Sequence, residues 1–272
     1  MSEETTVPEP EIVNSDKPKE LQNASLGMYA KMADNLIAEL VELADVPEER
    51  SGWWLSKERG DIRIYARKAE GSPFYFVRGD IKVKYPAAKF ANLFRLPFVE
   101  LMELTDPMWI TGEQVETLIN TSDELHAIRY GLFKFPWPCW NRDFVWYDVV
   151  RTLEDGTACT IARSVEHPAK PPTKNAVRAY ILTTGYVAKP DPDDPNVTHV
   201  SYIVQADPRG WLPSFVVNYA SISQAENVGR IRDKLEDPYY QELIEKHSTE
   251  EIKGRGALSS PIPTPTTIVS VN

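Results

Sequence analysis

From Glu113 to Asp207 the chain is almost unbroken strand pattern, and this stretch constrains the fold more than any other. Runs over 113–120, 123–135, 143–153, 157–167, 175–188 and 197–207 are rich in β-branched and aromatic residues. The breaks between them contain Thr121-Ser122, Pro136 and Pro138, Asp155-Gly156, Pro168 to Thr173, and Pro190 to Asn196. Proline cannot donate to a sheet ladder, so the chain must leave the sheet at Pro136 and Pro138. Connections this short join antiparallel neighbours, since a parallel crossover needs a dozen or more residues. The pattern predicts a curved antiparallel meander.

The flanks follow other periods. From Ser25 to Ala44, the residues Leu26, Tyr29, Ala33, Leu36, Leu40 and Leu43 recur every three or four positions and predict an amphipathic helix that Pro47 ends. Asp61 to Ala66 and Phe74 to Tyr85 alternate about a Gly71-Ser72-Pro73 turn, as in a hairpin, and Ala87 to Phe94 reads as a short helix. After Pro213 the residues Phe215, Tyr219, Ile222, Glu226 and Ile231 fit one long helix, Leu212 to Leu235. The class is α+β, with helices gathered against an antiparallel sheet and an internal cavity where the sheet curves round a helix. We expect a folded domain over 25–236, a disordered Glu-, Pro- and Lys-rich segment over 1–24, and a C-terminal extension over 237–272, disordered after 253.

A hydrophobic content of 42% suffices for a sizeable core. A net charge of -10 argues against a nucleic-acid partner, and against attraction to an acidic membrane through net charge rather than a local basic patch. The two cysteines, Cys139 and Cys159, read as free thiols of a reducing compartment. The acidic, polar N-terminus has no signal-peptide pattern and no apolar run reaches membrane-spanning length, so a soluble, cytoplasmic protein is expected. No G-x-S-x-G, H-E-x-x-H or P-loop is present, and His126, His167, His199 and His247 carry no partner motif. Asp191-Pro192-Asp193-Asp194-Pro195 lacks the Gly and final Glu of a calcium loop and reads as a solvated turn. No catalytic residue, metal or cofactor is therefore assigned.

Two segments carry a resemblance: Phe133-Lys134-Phe135-Pro136-Trp137-Pro138-Cys139-Trp140-Asn141-Arg142-Asp143-Phe144, and Asp207-Pro208-Arg209-Gly210-Trp211-Leu212-Pro213. With Trp53-Trp54, Ile62-Arg63-Ile64-Tyr65, Ser164 to Pro168 and Val177-Arg178, they resemble the START family, the lipid-transfer domains related to the steroidogenic acute regulatory protein. The likeness runs from Ala30 to Leu235, and the part before Arg142 looks most like phosphatidylcholine- and ceramide-transfer members. Where many members have a Trp-Asp pair, this chain has Leu104-Thr105-Asp106-Pro107-Met108-Trp109-Ile110. The resemblance implies a helix-grip fold, one enclosed lipid, no enzymatic activity, transient membrane contact and a monomer.

Candidate contacts follow from strand parity. If Lys134 points to solvent, then Leu125, Ala127, Arg129, Gly131 and Phe133 face inward, and Phe144, Trp146, Asp148 and Val150 share a face of the next strand. Arg129 and Asp148 then meet in the cavity, as a polar end for a lipid or as a purely structural pair. In the sterol-binding members that the chain resembles, an acidic residue and an arginine hold matching positions with the signs exchanged. Among Trp109, Tyr130, Trp137, Trp140, Trp146, Tyr180, Tyr186 and Tyr202, aromatic faces either hold a choline by cation–π attraction or simply pack. The expected lipid contacts are Arg129, Asp148, Trp146, Phe133, Tyr130, Tyr180 and Tyr202, with Phe215, Tyr219 and Ile222 from the last helix. That helix, hinged near Gly210 and Pro213, is the expected lid, and aromatics of the Pro136/Pro138 loop are expected to touch membrane. The expected occupant is a glycerophospholipid such as phosphatidylcholine. The alternatives are a sterol or ceramide carrier, a lipid sensor, or an enzyme using Asp148, His126 or His199.

Overall fold

The computed structural model describes residues 19–45, 52–135, 137, 139–212 and 214–254, with side chains from 27 to 248 except at 214, 215 and 219. In chain order the elements are α1 (Lys19–Asp45), β1 (Trp54–Arg59), β2 (Ile62–Arg67), β3 (Phe76–Val83), α2 (Ala87–Leu93), α3 (Phe98–Thr105), β4 (Trp109–Asn120) and β5 (Glu124–Phe133). There follow β6 (Arg142–Thr152), β7 (Ala158–Ser164), β8 (Val177–Arg178), β9 (Tyr180–Pro190), β10 (Thr198–Asp207), α4 (Ser214–Ala225), α5 (Asn227–Glu236) and α6 (Pro238–Gly254). One sheet runs β1-β2-β3-β10-β9-β7-β6-β5-β4; all its neighbours on this path are antiparallel, and β8 adds a short parallel pairing to β6.

The sheet separates two cores, as period-2 alternation requires. On the outer face α1 buries Tyr29, Ala33, Leu36, Ile37, Leu40 and Leu43 with Ile128, Tyr147, Val149, Ile161, Val187 and Ile203. On the inner face Ile64, Val77, Ile81, Val150, Tyr186 and Val204 meet Phe90 and Leu93 of α2 and Val228, Ile231 and Leu235 of α5. This is the helix-grip α+β arrangement. Gly79 of β3 lets the end of α4 come close, since a Cβ there would sit 2.4 Å from the Ala225 carbonyl oxygen.

Several elements depart from the sequence expectation. Strand β1 was not predicted, because all six of its residues are exposed at the sheet edge and carry no alternation. Neither was α3, an eight-residue helix following Pro97. The single long helix is two helices, α4 and α5, parted at Glu226, whose carboxylate pairs with Lys57 and Arg59 of β1. The folded part is also longer than 25–236: α1 begins at Lys19, and α6 buries Ile244 in the inner core. The terminal disorder expected before 19 and after 254 lies outside the described residues. No helix among the described residues is long and apolar enough to cross a membrane.

Candidate binding cavity and its mouth

A cavity of about 1580 Å³, mouth included, lies between the inner face of β5, β6, β7, β9 and β10 and helices α2, α3 and α4. Its wall is mainly apolar, from Phe94, Leu101, Met108, Phe133, Trp146 and Val204 among others. Polar groups come from three places. Arg129 and Asp148 stand on adjacent strands, Thr160 and Thr184 on β7 and β9, and Asp106, Gln224 and Asn227 come from the helical side.

Arg129 and Asp148 make the buried pair that strand parity predicts. Arg129 Nη1 lies 3.2 Å from Asp148 Oδ2, with the two side chains 3% and 13% exposed. The small accessible part of Asp148 is turned to the cavity it lines. Burial pushes its carboxyl above the usual carboxylate range, against the opposing pull of Arg129 and of the Trp146 indole N–H that donates to it. The Arg129 guanidinium also stacks 5.0 Å from the Phe98 ring. Its Nε is buried with no partner among the described residues, and so is Thr184 Oγ1.

Tyr186 and Tyr202 stack in the wall with ring centroids 4.3 Å apart and 13° between planes. Burial, and to a smaller degree the charge of Asp106, drives both hydroxyls upward in pKa. Asp106 itself is shifted up by burial, against the Met108 N–H at 2.8 Å and the charge of Arg230. The Gln224 amide reaches Met108 Sδ and ties α4 to the loop after α3.

The mouth lies where Phe135 and Cys139 of the β5–β6 loop meet Pro208, Leu212 and Val216. Arg142, at the start of β6, joins the two loops. Its Nε donates to the Pro208 carbonyl at 3.0 Å, Nη2 to that of Arg209 at 3.1 Å and Nη1 to that of Trp140, over the Phe135 ring at 4.5 Å. The second loop turns because Asp207 Oδ1 accepts the Arg209 N–H at 2.8 Å, with Arg209 and Gly210 both left-handed at φ 50° and 73°. The turn throws Trp211 outward at 92% exposure; across the mouth Trp137 is equally exposed and Trp140 is also largely open.

Of the predicted contacts, Arg129, Asp148, Phe133, Trp146 and Tyr202 line the cavity. Tyr130 does not. It shares the parity of Ile128 on the outer face, where its ring lies 4.9 Å from Lys170 Nζ. Tyr180 is also off the wall, under the Arg209 guanidinium at 4.7 Å. The cause is a bulge: Gln205 faces Thr183 and Ala206 faces Ile181, so the extra residue Leu182 reverses the parity of β9 before Thr184. Ile222 packs on the inner core instead of lining the cavity, and the side chains of Phe215 and Tyr219 lie outside the described residues. The contacts of α4 are Val216, Val217, Ala220, Ser221 and Gln224. Strand parity could have found Thr160 and Thr184; Asp106, in a turn, carries no periodic signal.

The candidate acid–base residues do not converge. His126 is fully buried on the outer face, with Nδ1 2.7 Å from the Tyr147 hydroxyl and Nε2 2.7 Å from Glu124. His199 sits outside beside Asp191, and only Asp148 reaches the cavity. No group of His, Cys, Asp and Glu among the described residues could hold a metal.

A START-domain family model matches residues 33–234, and the chain belongs to that family. Over 77 residues it is 43% identical to StAR-related lipid transfer protein 5 of Bos taurus, covering 28% of this chain and 36% of that protein. Over 96 residues it is 36% identical to the mitochondrial steroidogenic acute regulatory protein of Danio rerio, covering 35% of this chain and 33% of that one. These matches thus span about a third of the curated relatives' length. The structure of human STARD10 superposes with a TM-score of 0.66 at 21% identity, covering 85% of this chain and 89% of that one, and shows the same fold.

Proposed function

We propose that the chain encloses one lipid molecule in this cavity and carries it between membranes. The observation that carries the reading is an apolar-walled cavity lined by a buried Arg129–Asp148 pair. Each acyl methylene taken from water into such a wall contributes about 0.8 kcal/mol, so a long chain binds without any covalent step. The two relatives named as steroidogenic acute regulatory and lipid transfer proteins support the same class.

The favoured occupant is a glycerophospholipid such as phosphatidylcholine. Arg129 offers donors for a phosphate oxygen, and the Tyr186–Tyr202 stack beside Asp106 suits a quaternary ammonium. A sterol offers one hydroxyl, and a ceramide two hydroxyls and an amide; neither carries a charge to match the charged groups here.

Exchange requires a membrane, and the mouth offers a docking rim. Trp137, Trp140 and Trp211 project there, and 134–141 and 208–213 contain Lys134 and Arg209 but no carboxylate. Tryptophan favours the bilayer interface, where its ring is half-buried and its N–H stays wet.

The test is organic extraction of the purified protein followed by mass spectrometry, together with transfer of labelled lipid between vesicles. One intact phosphatidylcholine per chain, with transfer activity, is the expected result. A stoichiometric sterol or ceramide would replace the lipid assignment, and turnover of added lipid would overturn the carrier reading.

A further inference from the structure

Helix α4 meets the mouth with its first turn and is anchored at its far end, where Ala225 closes on Gly79 and Glu226 pairs with Lys57 and Arg59. Between the two, Asn218 reaches from the helix to the turn that joins β2 to β3. Its Oδ1 accepts the Tyr75 N–H at 3.0 Å, and its Nδ2 donates to the Pro73 carbonyl at 3.4 Å. A carboxamide carries an acceptor and a donor side by side, so one residue meets both backbone groups. Asn218 is buried, yet it lies off the cavity wall that its neighbour Val217 lines.

The turn is a fixed post. Ser72 Oγ accepts the Phe74 N–H at 3.1 Å, and Gln205 of β10 donates to the Phe74 carbonyl at 3.1 Å. The Tyr75 ring meets Trp54 of β1 edge-on at 5.3 Å. The helix is therefore the side free to move. At a rise of 1.5 Å per residue, Asn218 stands about 12 Å from Glu226, and Ser214 about 18 Å. A tilt of about 10° about the anchored end carries Asn218 about 2 Å, past hydrogen-bond reach, and Ser214 about 3 Å. Both bonds are lost at the start of any opening.

We propose that Asn218 is the latch of the lid: its bonds to the Pro73–Tyr75 turn hold α4 closed over the cavity, and their rupture sets the rate of lipid exchange. This rests on the carrier reading above. Asn218 acts by positioning the helix and touches no lipid. Opening wets the parted groups, which then bond water, so the latch holds by a modest factor, about fivefold to tenfold.

Two variants test it. Asn218→Leu keeps nearly the same volume and removes both bonds, and Asn218→Asp keeps the acceptor alone. In the purified full chain, amide exchange over 214–221 should quicken about fivefold or more in Asn218→Leu and less in Asn218→Asp, with α5 and β6 at wild-type rates. Transfer of labelled phosphatidylcholine between phosphatidylcholine vesicles should quicken by a similar factor, while the lipid extracted per chain stays the same. Unchanged exchange over 214–221 overturns the latch. So does equal quickening in α4, α5 and β6, which marks general destabilisation. Faster exchange in α4 with unchanged transfer overturns its control of the rate. A wild type that carries no phosphatidylcholine fails the lipid assignment instead, and the exchange result still decides the latch.

Discussion

Arg129 and Asp148 are mutually dependent, and the dependence has a sign. Arg129→Met leaves a carboxylate in an apolar wall and should cost about 3–5 kcal/mol at neutral pH, whereas Arg129→Met with Asp148→Leu should cost less, because both desolvation penalties go together. Burial already raises the Asp148 pKa above its ordinary 3.8. A carboxyl with a raised folded-state pKa adds stability below its unfolded pKa and loses it as pH rises through the folded one. Loss of Arg129 removes the opposing attraction and raises that pKa further. Urea melts should therefore show the Arg129→Met deficit shrinking towards pH 4; a deficit independent of pH would mean that Asp148 is not the group left stranded. His126 has the opposite sign. Burial lowers its pKa below 6.5, against the raising pull of Glu124 and of Asp148 beyond it, with Arg151 lowering it. Its contribution is full above 6.5 and declines as pH falls through the folded value. His126→Gln should accordingly flatten the acid side of the stability profile below pH 6.5, measured by thermal melts across that range.

At the scale of elements, α4 has one anchored end and one at the mouth. Its C-terminal end is fixed by the close approach of Ala225 to Gly79, by Glu226 pairing with Lys57 and Arg59, and, just beyond, by Gly229 against Ile62. Its N-terminal end meets the mouth through Leu212, Val216 and Val217. A lid motion should hinge at Glu226, at the far end of the helix from Gly210. Hydrogen exchange in α4 should slow on lipid loading, while α5 and β6 change little; equal slowing of α4 and α5 would sink this hinge. Gly79→Ala tests the anchor separately. A Cβ 2.4 Å from a backbone oxygen forces α4 away, so the variant should lose on the order of 2 kcal/mol or more in denaturant melts. Much of this geometry was legible from period. Alternation through 125–133 and 144–150 put Arg129 and Asp148 on one face of neighbouring strands, and helical spacing found the buried face of α1. The same alternation puts Tyr130 outside, which its aromatic character obscured. What period cannot show is a bulge such as Leu182, a fully exposed edge strand such as β1, or contacts between distant turns. The Gln224–Met108 contact that ties α4 to the loop of Asp106, and Arg95 with the β4–β5 turn, are of this last kind.

For the whole molecule, overall charge and local charge act against each other. A net -10 repels anionic bilayers, yet the mouth loops carry Lys134, Arg209 and three exposed tryptophans with no acidic residue. Docking should thus be short-ranged and oriented: long-range repulsion is screened within about 8 Å at physiological salt, after which the rings decide the pose. Each ring half-buried in the interface should contribute about 1 kcal/mol. Trp137→Ala, Trp140→Ala and Trp211→Ala together should therefore weaken vesicle binding about a hundredfold. The lipid carried should be unaffected, because none of the three rings lines the cavity. Added salt should strengthen binding of the wild type to anionic vesicles by screening the body of the protein, the reverse of a protein held by a basic patch. Flotation of wild type and triple variant on vesicles with and without anionic lipid, at two salt concentrations, measures both effects. Unchanged flotation of the triple variant would mean that docking uses another face; loss of bound lipid along with flotation would mean that the rings support the cavity from outside.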